Sequence, residues 1–185
     1  MTTTILWVVL IVIAVVLAWL VMTYNSLIRS RNRVDEAWSD IDVQLKRRYD
    51  LIPNIVAAVK GYAQHEEKVF TQVTEARTLA MGAKTPAEHA KAEDMLSGTL
   101  KSLFAVAESY PSLQAAGNFL HLQQELTDAE DKIQAARRFY NGNVRDYNTK
   151  LQVFPTALIA GMFAFKTRDF FDAPNTAMEH PGVSF

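Results

Sequence analysis

The chain contains no cysteine. That single absence excludes disulfides, thiolate zinc sites and thiol nucleophiles, while leaving the redox compartment open. Glycine and proline are scarce, at seven and six in 185 residues, so helix-breaking positions are few. Neither sign of charge is in excess. The net charge is −1 and both signs are interspersed, which gives no reason to expect nucleic acid as a partner. Lys46-Arg47-Arg48 and Arg137-Arg138 are short basic clusters and read as solvated helix faces. Catalytic signatures are missing as well. His65, His89, His121 and His180 lie far apart in sequence. His65-Glu66 lacks the second histidine of H-E-x-x-H, and no G-x-S-x-G or phosphate-cradling glycine loop occurs. Glu125, Asp128, Glu130 and Asp131 fall mostly on the polar face of one helix. The expectation is a protein that is not an enzyme, with no catalytic residue, no cofactor and no metal.

What is present is one long apolar run. Ile5 to Met22 are eighteen consecutive apolar residues without a charge. As a helix they span roughly 27 Å, close to the hydrocarbon thickness of a bilayer. A cleaved signal peptide needs a basic start, a shorter core and a small-residue cleavage site. Here Met1-Thr2-Thr3-Thr4 precedes the run and Tyr24-Asn25-Ser26-Leu27 follows it. Residues 1–23 therefore read as a single-pass transmembrane anchor, bounded by Ile5 and Met22. Trp7 at one end, with Trp19 and Tyr24 at the other, suits the two aromatic belts of a membrane. No charged side chain precedes the run, and Arg29, Arg31 and Arg33 follow it. The positive-inside rule places the N-terminus outside and the body in the cytoplasm.

Residues 24–151 read as a helical bundle. Apolar positions step by three and four through Val34, Trp38, Ile41, Leu45, Ile52, Ile55, Val59, Tyr62, Val69 and Val73, the stripe of a packed helix. Pro53 interrupts it. Lys46-Arg47-Arg48 suit a helix C-terminus and Asp50 could cap a new helix, so a break near Pro53 is favoured over one kinked helix. Gly82 ends the following helix. Thr85-Pro86-Ala87-Glu88 is a capping box with proline at the first helical position, opening a helix to Glu108. Tyr110-Pro111 forces a turn. A last helix from about Ser112 to Leu151 carries Phe119, Leu122, Leu126, Ala129, Ile133, Ala136, Tyr140, Val144, Tyr147 and Leu151. Gly142 within it suggests close packing or a flexing point. The predicted fold class is all-α, the anchor followed by an antiparallel up-and-down four-helix bundle of long helices.

Residues 152–172 form an apolar, phenylalanine-rich tail, and 173–185 read as a loose C-terminus. The tail is too short to span a bilayer. It suits a lid on the bundle end, an interfacial membrane segment or a subunit contact, with Phe154, Phe163, Phe165, Phe170 and Phe171 as the contact residues. Lys166 and Arg168 follow its apolar core.

Several stretches together resemble the LemA family of bacterial single-pass membrane proteins. They are the anchor with Tyr24-Asn25-Ser26-Leu27, the run from Ala37 to Arg48 (AWSDIDVQLKRR), Asp50-Leu51-Ile52-Pro53-Asn54, and Val59-Lys60-Gly61-Tyr62-Ala63 with His65-Glu66. Later come Glu108-Ser109-Tyr110-Pro111, Ala136-Arg137-Arg138-Phe139-Tyr140-Asn141, Tyr147-Asn148 and Phe154-Pro155. The resemblance implies a four-helix body behind an N-terminal anchor, with the N-terminus outside, at the bacterial inner membrane. It supports a break at Pro53 and supplies no catalytic residue. The expected function is a non-enzymatic scaffold or interaction protein that self-assembles at the membrane. Membrane lipid, other copies of the chain and a further membrane protein are its expected partners. The alternatives are a membrane-remodelling oligomer and an accessory subunit of a membrane protease or envelope-stress system.

Overall fold

The structure, a computed structural model, describes residues 1–171. Those residues form six helices and no strand: α1 Thr2–Lys60, α2 Glu67–Gly82, α3 Pro86–Glu108, α4 Pro111–Gln114, α5 Gly117–Gln152 and α6 Thr156–Met162. The segment expected to be a loose C-terminus lies outside the described residues, as does Asp172. The chain divides into two compact units. One is Met1–Ser39 with Phe139–Arg168, and the other is Asp40–Arg138 with the chain from Asp169 onward.

In the first unit, α1 and α5 bury faces spaced by three and four residues: Leu27, Ser30, Val34 and Ala37 against Tyr140, Val144 and Tyr147. The Trp38 ring meets that of Tyr140 at 5.3 Å, Lys150 Nζ donates to Ser30 Oγ at 2.6 Å, and Leu151 packs beside Leu27. These pairs descend α1 as they ascend α5, so the two segments run in opposite directions. The chain then turns through Phe154 and Pro155 into α6, whose Ile159 and Ala160 are buried on Leu27.

In the second unit the core is Ile41, Leu45, Ile52, Ile55 and Val59 of α1, Phe70, Val73, Ala76 and Ala80 of α2, Leu96, Leu100 and Leu103 of α3, and Phe119, Leu126 and Ile133 of α5. Each fully buried Leu, Ile or Phe side chain contributes about 1.5–3 kcal/mol. The capping box of α3 is present. Glu88 N donates to Thr85 Oγ1 at 3.2 Å and Thr85 N donates to the Glu88 carboxylate at 3.2 Å. Lys84 N adds a third bond at 2.8 Å. These backbone donors hold the Glu88 carboxyl below its usual range.

The favoured break at Pro53 does not occur: Pro53 lies inside α1, which continues to Lys60. Proline has no N–H, so the Tyr49 carbonyl four residues back loses its helical donor. Arg77 of α2 replaces it, its Nε donating to Tyr49 O at 2.8 Å. The chain turns instead at Gly61–Glu66. Tyr62 N and Ala63 N both donate to Val59 O there, and glycine disfavours continuation by about 1 kcal/mol. The turn resets the stripe. Ala63 and Phe70 are buried where Tyr62 and Val69 were expected. The last long helix also starts later than expected, at Gly117, after the separate turn of α4. A Cβ on Gly142 would meet nothing within 4 Å, so close packing is not its role.

Candidate membrane-interface site

The run from Ile5 to Met22 lies within α1 and is exposed along nearly its whole length. It is long and apolar enough to cross a membrane, and no residue of its most hydrophobic stretch is buried within the chain. Ile5, Trp7 and Met22 face outward. Trp19, Leu20 and Tyr24, at its C-terminal end, are partly buried and pack with Phe165 around Leu27, Ile159 and Ala160. Arg29, Arg31 and Arg33 are exposed on α1 just beyond.

The docking of α6 follows from its own C-terminal turn. Ala164 adopts the left-handed conformation, with φ of 52°. Phe165 N donates to Ala160 O at 2.9 Å and Ala164 N donates to Gly161 O at 3.2 Å. These paired bonds form the Schellman motif, in which the residue after the left-handed one returns to contact the helix. That residue is Phe165, directed back onto the Ile159 cluster. Its ring meets Tyr24 edge-on at 5.8 Å, and Phe163 meets the same tyrosine at 4.8 Å. The next residues are held by a side-chain amide. Asn148 Nδ2 donates to Arg168 O at 2.9 Å, and Arg168 N donates to Asn148 Oδ1 at 2.9 Å. Arg168 Nη2 then reaches Asp35 at 2.8 Å. Tyr147, buried nearby, has its hydroxyl pKa raised by burial, against the opposing effect of Arg168 and Arg31.

The structure gathers some of the expected contact residues and separates others. Phe163, 53% exposed, and Phe165 join Trp19 and Tyr24 at the end of the apolar run. Phe154 is 81% exposed and makes no part of that cluster. Phe170 is exposed in the second unit. Phe171 is a correction: it is fully buried. It stacks on His89 at 6.5 Å and lies under the Arg137 guanidinium at 4.6 Å. A ring held between an imidazole and a cation is not available to a membrane or another subunit. Arg137 is therefore not merely solvated either.

Sequence reasoning also missed a buried polar cluster in the second unit. Arg48, read as solvated, is only 3% exposed, and Glu93 is 2% exposed. Arg48 Nη1 meets Glu93 Oε2 at 2.8 Å, and Arg48 Nη2 meets Ser97 Oγ at 2.8 Å and Glu130 at 3.2 Å. Tyr49 donates its hydroxyl to the other Glu93 oxygen. Burial first, and then this bond to a carboxylate, push the Tyr49 pKa up. Arg48 lies seven residues beyond Ile41, one heptad along the buried stripe, which was the available signal. Among the described residues no group of three or more His, Asp or Glu side chains could hold a metal ion. Arg48 and Glu93 thus form a buried ion pair between α1 and α3, with Tyr49 and Ser97 hydrogen-bonded to it.

The fold and site thus define a class: a protein all-helical in its described residues, with one long apolar N-terminal helix and a short helix folded back beside the C-terminal end of its apolar run. The family model of the LemA family matches residues 37–185, and the chain belongs to this family. It is 26% identical over 181 residues to Magnetosome protein MamQ 2 of Paramagnetospirillum magneticum, covering 84% of this chain and 66% of that one. It is 24% identical over 178 residues to Magnetosome protein MamQ of Magnetospirillum gryphiswaldense, covering 82% and 65%. It is 29% identical over 140 residues to Protein LemA of Metamycoplasma hominis, covering 74% and 63%. The chain spans just under two thirds of the length of the curated relatives it matches.

Proposed function

We propose that this protein is a membrane-anchored, non-catalytic scaffold that self-assembles at a bacterial membrane and presents helical surface to other membrane components. One observation carries the reading. The exposed apolar surface of Ile5–Met22 is continued by exposed Leu158, Met162 and Phe163 on and just after the short helix docked at its inner end. Exposed apolar area of this kind is stable in water only when lipid or protein covers it. In this reading α1, α2, α3 and α5 make an antiparallel up-and-down four-helix bundle. Arg29, Arg31 and Arg33 set the N-terminus outside and the body in the cytoplasm. A second reading, membrane remodelling, is favoured by α6. A short helix with an outward apolar face beside the anchor has the form of a shallow interfacial wedge.

The test is the native mass of the full-length chain in nanodiscs. A single closed oligomer is expected, and a monomer at every concentration overturns self-assembly. Purified chain that changes liposome shape on its own would favour remodelling over scaffolding.

A further inference from the structure

A pocket of about 460 Å³ opens at the Met22 end of the apolar run, within the first unit. Tyr24, Phe163 and Phe165 form its aromatic wall, and Arg31, Lys166 and Arg168 its basic wall. Among the described residues no carboxylate lines it. Arg168 is neutralised by Asp35, whereas among the described residues Arg31 and Lys166 make no ion pair. Among the described residues, then, the pocket holds two cations without an ion-pair partner. Arg31 lies nine residues beyond Met22 on α1, roughly 14 Å along the helix, and a long basic side chain there can reach back toward the headgroups of a bilayer crossed at Ile5–Met22.

The basic wall is held in place without a ligand. The turn after α6 fixes Phe165 by its bond to Ala160, and Asn148 fixes the backbone of Arg168 from both sides. Lys166 lies between these two points, so its backbone needs little ordering on binding, and the Arg31 and Lys166 side chains carry the entropy cost. The surfaces flanking the pocket are apolar. Leu17 of α1 and Leu158 and Met162 of α6 are exposed and suited to acyl chains.

Resting on the membrane-anchor reading above, we propose that this pocket binds the headgroup of an anionic phospholipid. Arg31 and Lys166 contact its phosphate, and Tyr24, Phe163 and Phe165 bound it at the interface. Guanidinium and ammonium groups both bind phosphate, and basic pockets beside membrane helices select anionic headgroups. A zwitterionic lipid brings a cation of its own toward Arg31 and Lys166, which disfavours it.

The experiment places the full chain in nanodiscs of mixed phosphatidylcholine and phosphatidylglycerol and identifies co-retained lipid by native mass spectrometry. Phosphatidylglycerol is expected to be retained preferentially. The double variant Arg31→Gln/Lys166→Gln is expected to lower that retention roughly thirtyfold, the effect of removing two cations facing anionic lipid. The double variant Lys101→Gln/Lys132→Gln removes equal charge outside the pocket and is expected to leave retention unchanged. Equal retention of the two lipids, or an unchanged Arg31→Gln/Lys166→Gln variant, overturns the proposal. So does displacement of the lipid by millimolar inorganic phosphate, which would mean that the pocket reads a free anion. A chain that does not enter nanodiscs overturns the anchor and this site together. A chain that inserts without lipid preference overturns the site alone.

Discussion

Ala164 occupies a backbone region that favours glycine, with φ of 52°, and its Cβ is strained there by about 1–2 kcal/mol. Ala164→Gly is expected to tighten the turn and stabilise docking of α6 by about 1 kcal/mol. Hydrogen exchange of the Phe165 amide measures it, and slower exchange in the variant is the expected result. In the second unit, Glu93→Ala would remove the buried carboxylate from Arg48 and leave only the more exposed Glu130 as its counter-ion. A loss of about 3 kcal/mol in urea unfolding is expected. Tyr49 adds a pH dependence with a definite sign. Its folded pKa is raised, so the folded state keeps a proton that the unfolded chain releases near pH 10. The stabilisation is complete below that pH and declines as pH rises above it. Between about pH 9 and about pH 11 the wild-type chain should therefore lose more stability than Tyr49→Phe.

At the scale of elements, α1 tolerates a proline because α2 supplies a donor. That claim makes a double-mutant cycle informative. Arg77→Met alone is expected to cost about 1–2 kcal/mol, the cost of an unsatisfied carbonyl. In a Pro53→Ala background the backbone N–H restored at that position can bond the Tyr49 carbonyl, and the cost of Arg77→Met should shrink. Equal costs in both backgrounds would remove Arg77 from this role. The helices themselves were largely legible. The three-and-four spacing in α5 and the Thr85–Glu88 box mark local preferences that packing then follows. The end of α1 was not legible. Its apolar phase continues nearly unbroken across Pro53, but the proline and the basic cluster before it pointed to a break, and the donor that rescues the proline lies on α2, 28 residues along the chain from Tyr49.

For the whole molecule, the apolar run sets the environment the chain requires. Deleting Met1–Met22 is expected to convert it from carbonate-resistant to carbonate-extractable. An unchanged membrane fraction would assign anchoring to α6 or to a partner. The exposed side chains of α6 predict residual affinity for vesicles in the truncated chain, lost on Leu158→Glu/Met162→Glu. Vesicle flotation separates these outcomes.

Composition and periodicity were enough to establish an all-helical chain with one bilayer-length apolar helix, because hydrophobic runs and helical spacing are local properties. The family, too, was readable from short ordered stretches. Which charges became buried, which phenylalanines stayed exposed and where α1 ended depended on contacts between residues distant in sequence. Arg48 with Glu93, Arg77 with the Tyr49 carbonyl, and Arg168 with Asp35 are such contacts. The pocket beside the apolar run depends on the same kind of contact: the chain folds back after α6 so that Lys166 and Arg31 line one pocket, and no local preference of either residue encodes that meeting.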